Sequence, residues 1–136
     1  MELEQQLASV PLLAGLHERT LRQLAHAGKR RAYEAGQAIV EEGSTGTAFY
    51  IVLSGKARVE QRGERLGVLS PGDFFGELAL IEKHARTASV IADSEVECLL
   101  FPVWEFTALL DEHPEIAVPI MKVLIARLHR SEHHED

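Results

Sequence analysis

Apolar positions along the chain follow three successive rhythms. Up to about residue 30 the spacing is helical. Leu3 and Leu7 lie one turn apart and Pro11 interrupts, then Leu21, Leu24 and Ala25 recur at i, i+3 and i+4 before Gly28, a residue suited to stop a helix. From residue 31 the punctuation changes. Gly36, Gly43, Gly46, Gly55, Gly63, Gly67, Gly72 and Gly76 separate short runs rich in β-branched and aromatic residues. These runs predict strands over 38–41, 48–53, 56–61, 66–69, 87–92 and 96–101, with Phe74 and Phe75 ending another that Pro71-Gly72 introduces. In the last run Val96, Cys98 and Leu100 share one face. After Phe101 the helical period returns. Phe106, Leu109 and Leu110 mark one helix, Pro114 starts another, and Ile120, Leu124 and Leu128 form a stripe along it, with Pro119 in or near its first turn.

The pattern predicts one mainly β domain with flanking helices over 1–136: N-terminal helices in 1–30, a β-roll in 31–101, C-terminal helices in 102–131 and a polar tail in 132–136. With 46% apolar residues, a chain of 136 can bury a core without disulfides or a structural metal. The 14 Lys and Arg against 21 Asp and Glu give a net charge of −7, which repels nucleic acid and anionic membrane. Too few residues follow Pro114 for a helix-turn-helix domain, so no direct nucleic-acid partner is expected. Cys98 is the single cysteine, so neither an intrachain disulfide nor a thiolate metal cluster can form. With no leader-like start and no run approaching the ~18 apolar residues of a membrane span, a cytoplasmic protein without a membrane partner is expected.

The chemistry is concentrated in Phe75-Gly76-Glu77-Leu78-Ala79-Leu80-Ile81-Glu82-Lys83-His84-Ala85-Arg86-Thr87-Ala88-Ser89-Val90. Gly76 permits a close backbone turn, and 77–83 read as a short helix whose first N–H groups have no partner within it. Those donors and the positive end of the helix dipole make a seat for a phosphate. Just beyond, Arg86 supplies a planar fork of donors matched to two phosphate oxygens. Taken singly, a Gly-Glu pair or an arginine near a strand is an ordinary surface feature. In this order and spacing they point to an anion site.

This run closely resembles the phosphate-binding cassette of cyclic-nucleotide-binding domains, the modules of protein kinase A and G regulatory regions, gated channels and the catabolite activator protein. Glu34-Ala35-Gly36, Glu42-Gly43, Phe49-Tyr50-Ile51-Val52, Ser54-Gly55 and Pro71-Gly72-Asp73-Phe74-Phe75-Gly76 extend the resemblance over nearly the whole chain. It implies an eight-stranded antiparallel, jelly-roll-like β-roll with N-terminal helices, a short cassette helix and two C-terminal helices. It also implies a ligand, cyclic AMP or cyclic GMP, and no cofactor. The roles it implies are Glu77 accepting from the ribose 2′-hydroxyl and Arg86 binding the phosphate, with Gly76, Leu78, Ala79 and Ala88 shaping the phosphate seat and Thr87 adding a side-chain contact. A hydroxyl at Thr87 can serve guanine, yet channel-like relatives with the same Arg-Thr-Ala prefer cyclic AMP, so cyclic AMP is the expected ligand. No aromatic residue follows Phe106, which leaves Leu124, Arg127 and Leu128 as the lid over the base. At Glu82, Lys83, His84 and Ala85 the sequence departs from the commonest cassette, which has smaller residues and a proline there.

The remaining features point elsewhere weakly. Seven histidines are scattered without the paired His and later Glu or His of a metal-binding cupin barrel, and His129, His133 and His134 read as part of a solvated tail. Cys98 alternates with apolar residues and reads as a buried, inert thiol. Trp104 and Phe106 open the helix after the roll, where they read either as core packing or as a hinge that cassette residues such as Leu80 contact when ligand binds. Hydrolysis of a cyclic nucleotide would need a metal pair or a positioned base and nucleophile, and the cassette offers only Glu77, so no enzyme is expected. The expectation is a sensor that moves its C-terminal helices on binding and acts on an effector protein or fused domain, with the Ile120, Leu124 and Leu128 stripe serving the lid or a homodimer seam. A structural or dimerisation module that keeps the fold without a ligand, and a cupin-like metal barrel, are the alternatives.

Overall fold

A computed structural model of the protein describes residues 3–10, 13, 16–45, 48–76 and 86–135, the side chains of 4, 119, 127, 128 and 130–135 excepted. Two helices, α1 (Leu3–Ala8) and α2 (Glu18–Ala27), precede eight strands. These are β1 (Lys29–Tyr33), β2 (Ala38–Val40), β3 (Ala48–Ser54), β4 (Ala57–Gln61), β5 (Glu64–Leu69), β6 (Phe74–Phe75), β7 (Ser89–Ala92) and β8 (Val96–Pro102). Helix α3 (Val103–Glu112), a 3-10 turn (Pro114–Ile116) and α4 (Ala117–Glu135) follow. All strand pairings are antiparallel, in two four-stranded sheets ordered β1-β8-β3-β6 and β2-β7-β4-β5. The expected β-roll with flanking helices is the observed fold.

Strands β3 and β8 lie at the centre of the first sheet, and their near-continuous apolar runs are buried on both faces. Alternation along each strand therefore feeds two cores. Tyr50 and Val52 of β3, Val96, Cys98 and Leu100 of β8, and Phe75 of β6 pack between the sheets with Ile39, Leu69 and Val90. On the other face Phe49, Ile51, Leu53, Leu99, Phe101 and Phe74 meet the helices through Leu7, Leu21, Leu24, Phe106, Leu109, Ile116 and Ile120. Phe106 is fully buried, stacks on Phe49 at 4.4 Å and meets Phe101 edge-on at 5.4 Å. Burying one such side chain contributes roughly 1.5–3 kcal/mol, so this aromatic cluster is the main anchor of α3.

Gly28 ends α2 as expected, but for a packing reason. Its φ is −83°, and a β-carbon there would come within 2.6 Å of Leu99 Cγ on the sheet beneath. The roll begins two residues earlier than the sequence pattern predicts, because β1 is an edge strand with only Tyr33 buried and so carries no apolar run. Residues 132–135, expected as tail, continue α4, since extending a packed helix by polar residues costs little once its first turns exist. Pro119 falls in the first turn of α4. The C-terminal stripe also differs. Ile120 is buried and Leu124 half-buried in the helical core, so both are engaged within the domain, and the exposed apolar line on α4 is instead Val118, Met121 and Ile125. Trp104, expected in the core, is 70% exposed, because a helix turns ~200° in two residues and Phe106 takes the inward side. Cys98 is buried, and burial, seconded by Glu97, pushes its thiol up to about 12. No helix among the described residues is long and apolar enough to cross a membrane.

Candidate functional site

Two ends of the cassette run lie within the described residues. At its start, β6 delivers Gly76 with φ +86°, a left-handed conformation that favours glycine. A β-carbon there would lie 2.6 Å from the Ala48 carbonyl oxygen and 3.0 Å from Arg86 Nη1, so the bare backbone makes room for the guanidinium. At its end, Arg86 precedes β7 and its backbone is laced to the loop after β2. The Gly43 N–H donates to the Arg86 carbonyl at 2.8 Å, and the Arg86 N–H donates to the Ser44 carbonyl at 2.7 Å. The loop is held in turn by the Glu42 N–H donating to Ser89 Oγ at 2.8 Å and by the Arg62 N–H donating to Glu42 Oε1 at 3.0 Å. Gln61 Nε2 donates to the Thr87 carbonyl at 2.9 Å. Arg86 is thus fixed by pairings between segments some forty residues apart in the chain.

Its side chain reaches back to β3. Nη2 donates to the Ala48 carbonyl at 3.0 Å, and Cζ lies 6.0 Å from the centroid of the Tyr50 ring. Tyr50 stacks in parallel on Phe75, with centroids 4.6 Å apart and planes inclined by 4°. Burial pushes the Tyr50 phenol up, against the opposing pull of Arg86 and Arg31. Arg86 and Tyr50 border a cavity of about 300 Å³ whose wall also includes Ile39, Val40, Ser44 and Thr45. A space of that volume, lined by apolar strand residues together with Glu41, Ser44, Thr45 and the cation Arg86, has the size of a small ligand's site.

Among the expected site residues, Gly76 and Arg86 are brought together. Thr87 is exposed and Ala88 half-buried beside them. Glu77, Leu78, Ala79 and the short helix over 77–83 lie outside the described residues, as do the side chains of Arg127 and Leu128. Leu124 packs against the helical core and does not line the cavity. The sequence pattern missed Tyr50, Ala48 and the 39–45 wall. Their signal is a strand register and a loop pairing that extends the β2–β7 contact, neither of which leaves a local mark. Among the described residues no three His, Cys, Asp or Glu side chains gather as a metal site.

Residues 30–113, more than half of the chain, match the model of the cyclic nucleotide-binding domain family. Glutaminase 2 of Bradyrhizobium diazoefficiens is 37% identical over 125 residues, covering 91% of this chain and 20% of that protein. The cGMP-dependent protein kinase, isozyme 1, of Drosophila melanogaster is 38% identical over 118 residues, covering 81% of this chain and 15% of the kinase. Among solved structures, cAMP-bound PfPKA-R (141–441) superposes with a TM-score of 0.84 at 26% identity, over 95% of this chain and 45% of that one. The chain therefore spans about a fifth or less of these two curated relatives. By the family match, the relatives' identity and the shared fold, the chain belongs to the cyclic nucleotide-binding domain family.

Proposed function

We propose that this domain is a non-catalytic sensor that binds a cyclic nucleotide, with cyclic AMP favoured over cyclic GMP. The observation that carries the reading is the placement of Arg86, held by the β2–β3 loop and by the Ala48 carbonyl at the wall of a cavity of about 300 Å³. In this reading the Arg86 fork binds the cyclic phosphate, Gly76 with Leu78, Ala79 and Ala88 shapes the seat, Thr87 adds a contact, and Glu77 accepts from the ribose hydroxyl. Support for cyclic AMP comes from the cAMP-bound neighbour.

Strand β3 supplies a route for the signal. Tyr50 faces the cavity, while its neighbour Phe49 carries Phe106 of α3. A ligand that favours one position of this strand would bias α3 and α4, with Leu124, Arg127 or Leu128 closing over the base. The output passes to a cytoplasmic effector protein or a fused domain. A second copy of the chain, meeting it along the exposed Val118, Met121 and Ile125 line of α4, is the expected homodimer partner.

Calorimetric titration with each cyclic nucleotide, followed by chromatography of the incubated mixture, tests the reading. It predicts saturable binding, tighter for cyclic AMP, with the nucleotide recovered intact. Absence of binding, or release of 5′-nucleotide in excess of protein, contradicts it.

A further inference from the structure

We infer that Tyr50 is a positioning residue for Arg86: its ring is the platform that holds the guanidinium at the cavity wall. The inference rests on the sensor reading above and names a residue within that same site. Three observations meet at this point. Ala48 and Tyr50 are two apart on β3, and one offers a backbone carbonyl and the other a ring to the same guanidinium. At 6.0 Å from the ring centroid, Arg86 Cζ lies at the outer limit of the range over which a cation is attracted to an aromatic face. Phe75 stacks on Tyr50 at 4.6 Å and fixes the plane of that ring.

The chemistry suits the task. A phenol is uncharged at neutral pH, and burial pushes that of Tyr50 further up, so Tyr50 presents a neutral ring rather than a competing anion. A carboxylate at this position would pair with Arg86 directly and compete with an anionic ligand. A ring attracts the cation weakly, fixes its direction and leaves the donors of the fork free to turn to phosphate oxygens. The Ala48 carbonyl takes one N–H, and Gly76, lacking a β-carbon, leaves room beside that carbonyl for the guanidinium. Together β3 and the β6 turn aim the cation before any ligand is met, which reduces the ordering cost of binding.

The test compares wild type, Tyr50→Phe, Tyr50→Leu and Arg86→Ala by titration with cyclic AMP, together with NMR of the arginine Nε–H resonances of the nucleotide-free protein. Tyr50→Phe keeps the ring and is expected to bind within about twofold of wild type, and Tyr50→Leu roughly 3- to 10-fold more weakly. In Tyr50→Leu the Arg86 Nε–H resonance, identified by its loss in Arg86→Ala, moves towards the value of an arginine free of any ring, a shift that Tyr50→Phe does not show. Wild-type affinity in Tyr50→Leu, or an unmoved Arg86 resonance, overturns the inference while leaving the sensor reading intact. If Tyr50→Leu does not fold, pentafluorophenylalanine at position 50 preserves the shape while reversing the ring's charge distribution, and undiminished binding then overturns it. Failure of wild type to bind either cyclic nucleotide removes the sensor reading and this inference with it.

Discussion

At the scale of single residues, the site depends as much on what Gly76 lacks as on what Arg86 provides. A side chain at Gly76 would collide with the Ala48 carbonyl and crowd Arg86 Nη1, at a φ that side chains rarely adopt. Gly76→Ala is therefore expected to cost on the order of 1–3 kcal/mol in urea denaturation and to weaken nucleotide binding beyond that loss, because the guanidinium must move. Cys98 gives a second residue-scale test. Its thiol is pushed from 9.0 up to about 12 by burial, so the folded state holds it neutral while the unfolded chain ionises it first. The contribution to stability is full below about pH 9 and is lost as pH rises from there towards about 12. A thiol reagent at pH 8 should leave the native protein nearly untouched and label the urea-unfolded chain at once; fast labelling of the native state would contradict the buried position. Arg86, Gly76 and Cys98 were legible in the sequence because each carries its chemistry in its type and immediate context. Tyr50 was not, since nothing in Phe49-Tyr50-Ile51-Val52 tells which aromatic residue faces a cation and which faces a helix until the strand is placed between two cores.

Among the elements, β3 and α3 are coupled more tightly than their sequence separation implies. Phe106 has no exposed surface and joins Phe49 and Phe101 in one aromatic cluster, so Phe106→Ala is expected to cost about 3–5 kcal/mol and to loosen α3 from the sheet. Denaturation curves and near-ultraviolet dichroism check this, and a cost below about 1 kcal/mol would mean that α3 is held by something else. Seven of the eight strands were foreshadowed by apolar runs or turn residues. The exception, β1, reads Lys29-Arg30-Arg31-Ala32-Tyr33, and its strand character comes from pairing with β8 rather than from its own pattern. The C-terminal stripe was seen, but one helix carries two apolar lines, and the packing of Ile120 and Leu124 against the roll decides which is left for a partner. Light scattering at rising protein concentration should show a dimer that Ile125→Glu disperses and Leu66→Glu, on the far edge of the roll, does not. A monomer at all concentrations would contradict that assignment.

Taken whole, the molecule is a double-layered roll whose first sheet serves two cores. One surface of that sheet shapes the cavity beside Arg86, and the other carries the helices that would report on it. A fold of this kind can be read from glycine punctuation and alternating strands, whereas the cavity wall cannot. The Arg86 guanidinium, on the segment before β7 of one sheet, and the Ala48 carbonyl, on β3 of the other, meet only after the two sheets have closed. The central claim is that Arg86 is the cationic phosphate fork of a cyclic-nucleotide site, and the direct test is calorimetric titration of cyclic AMP into wild type and Arg86→Ala, with both proteins shown to be folded. Losing this fork should cost on the order of 2–5 kcal/mol, which reduces affinity by about thirtyfold or more. Binding by the wild type that Arg86→Ala loses is the predicted result; equal affinity in the two proteins would contradict the account.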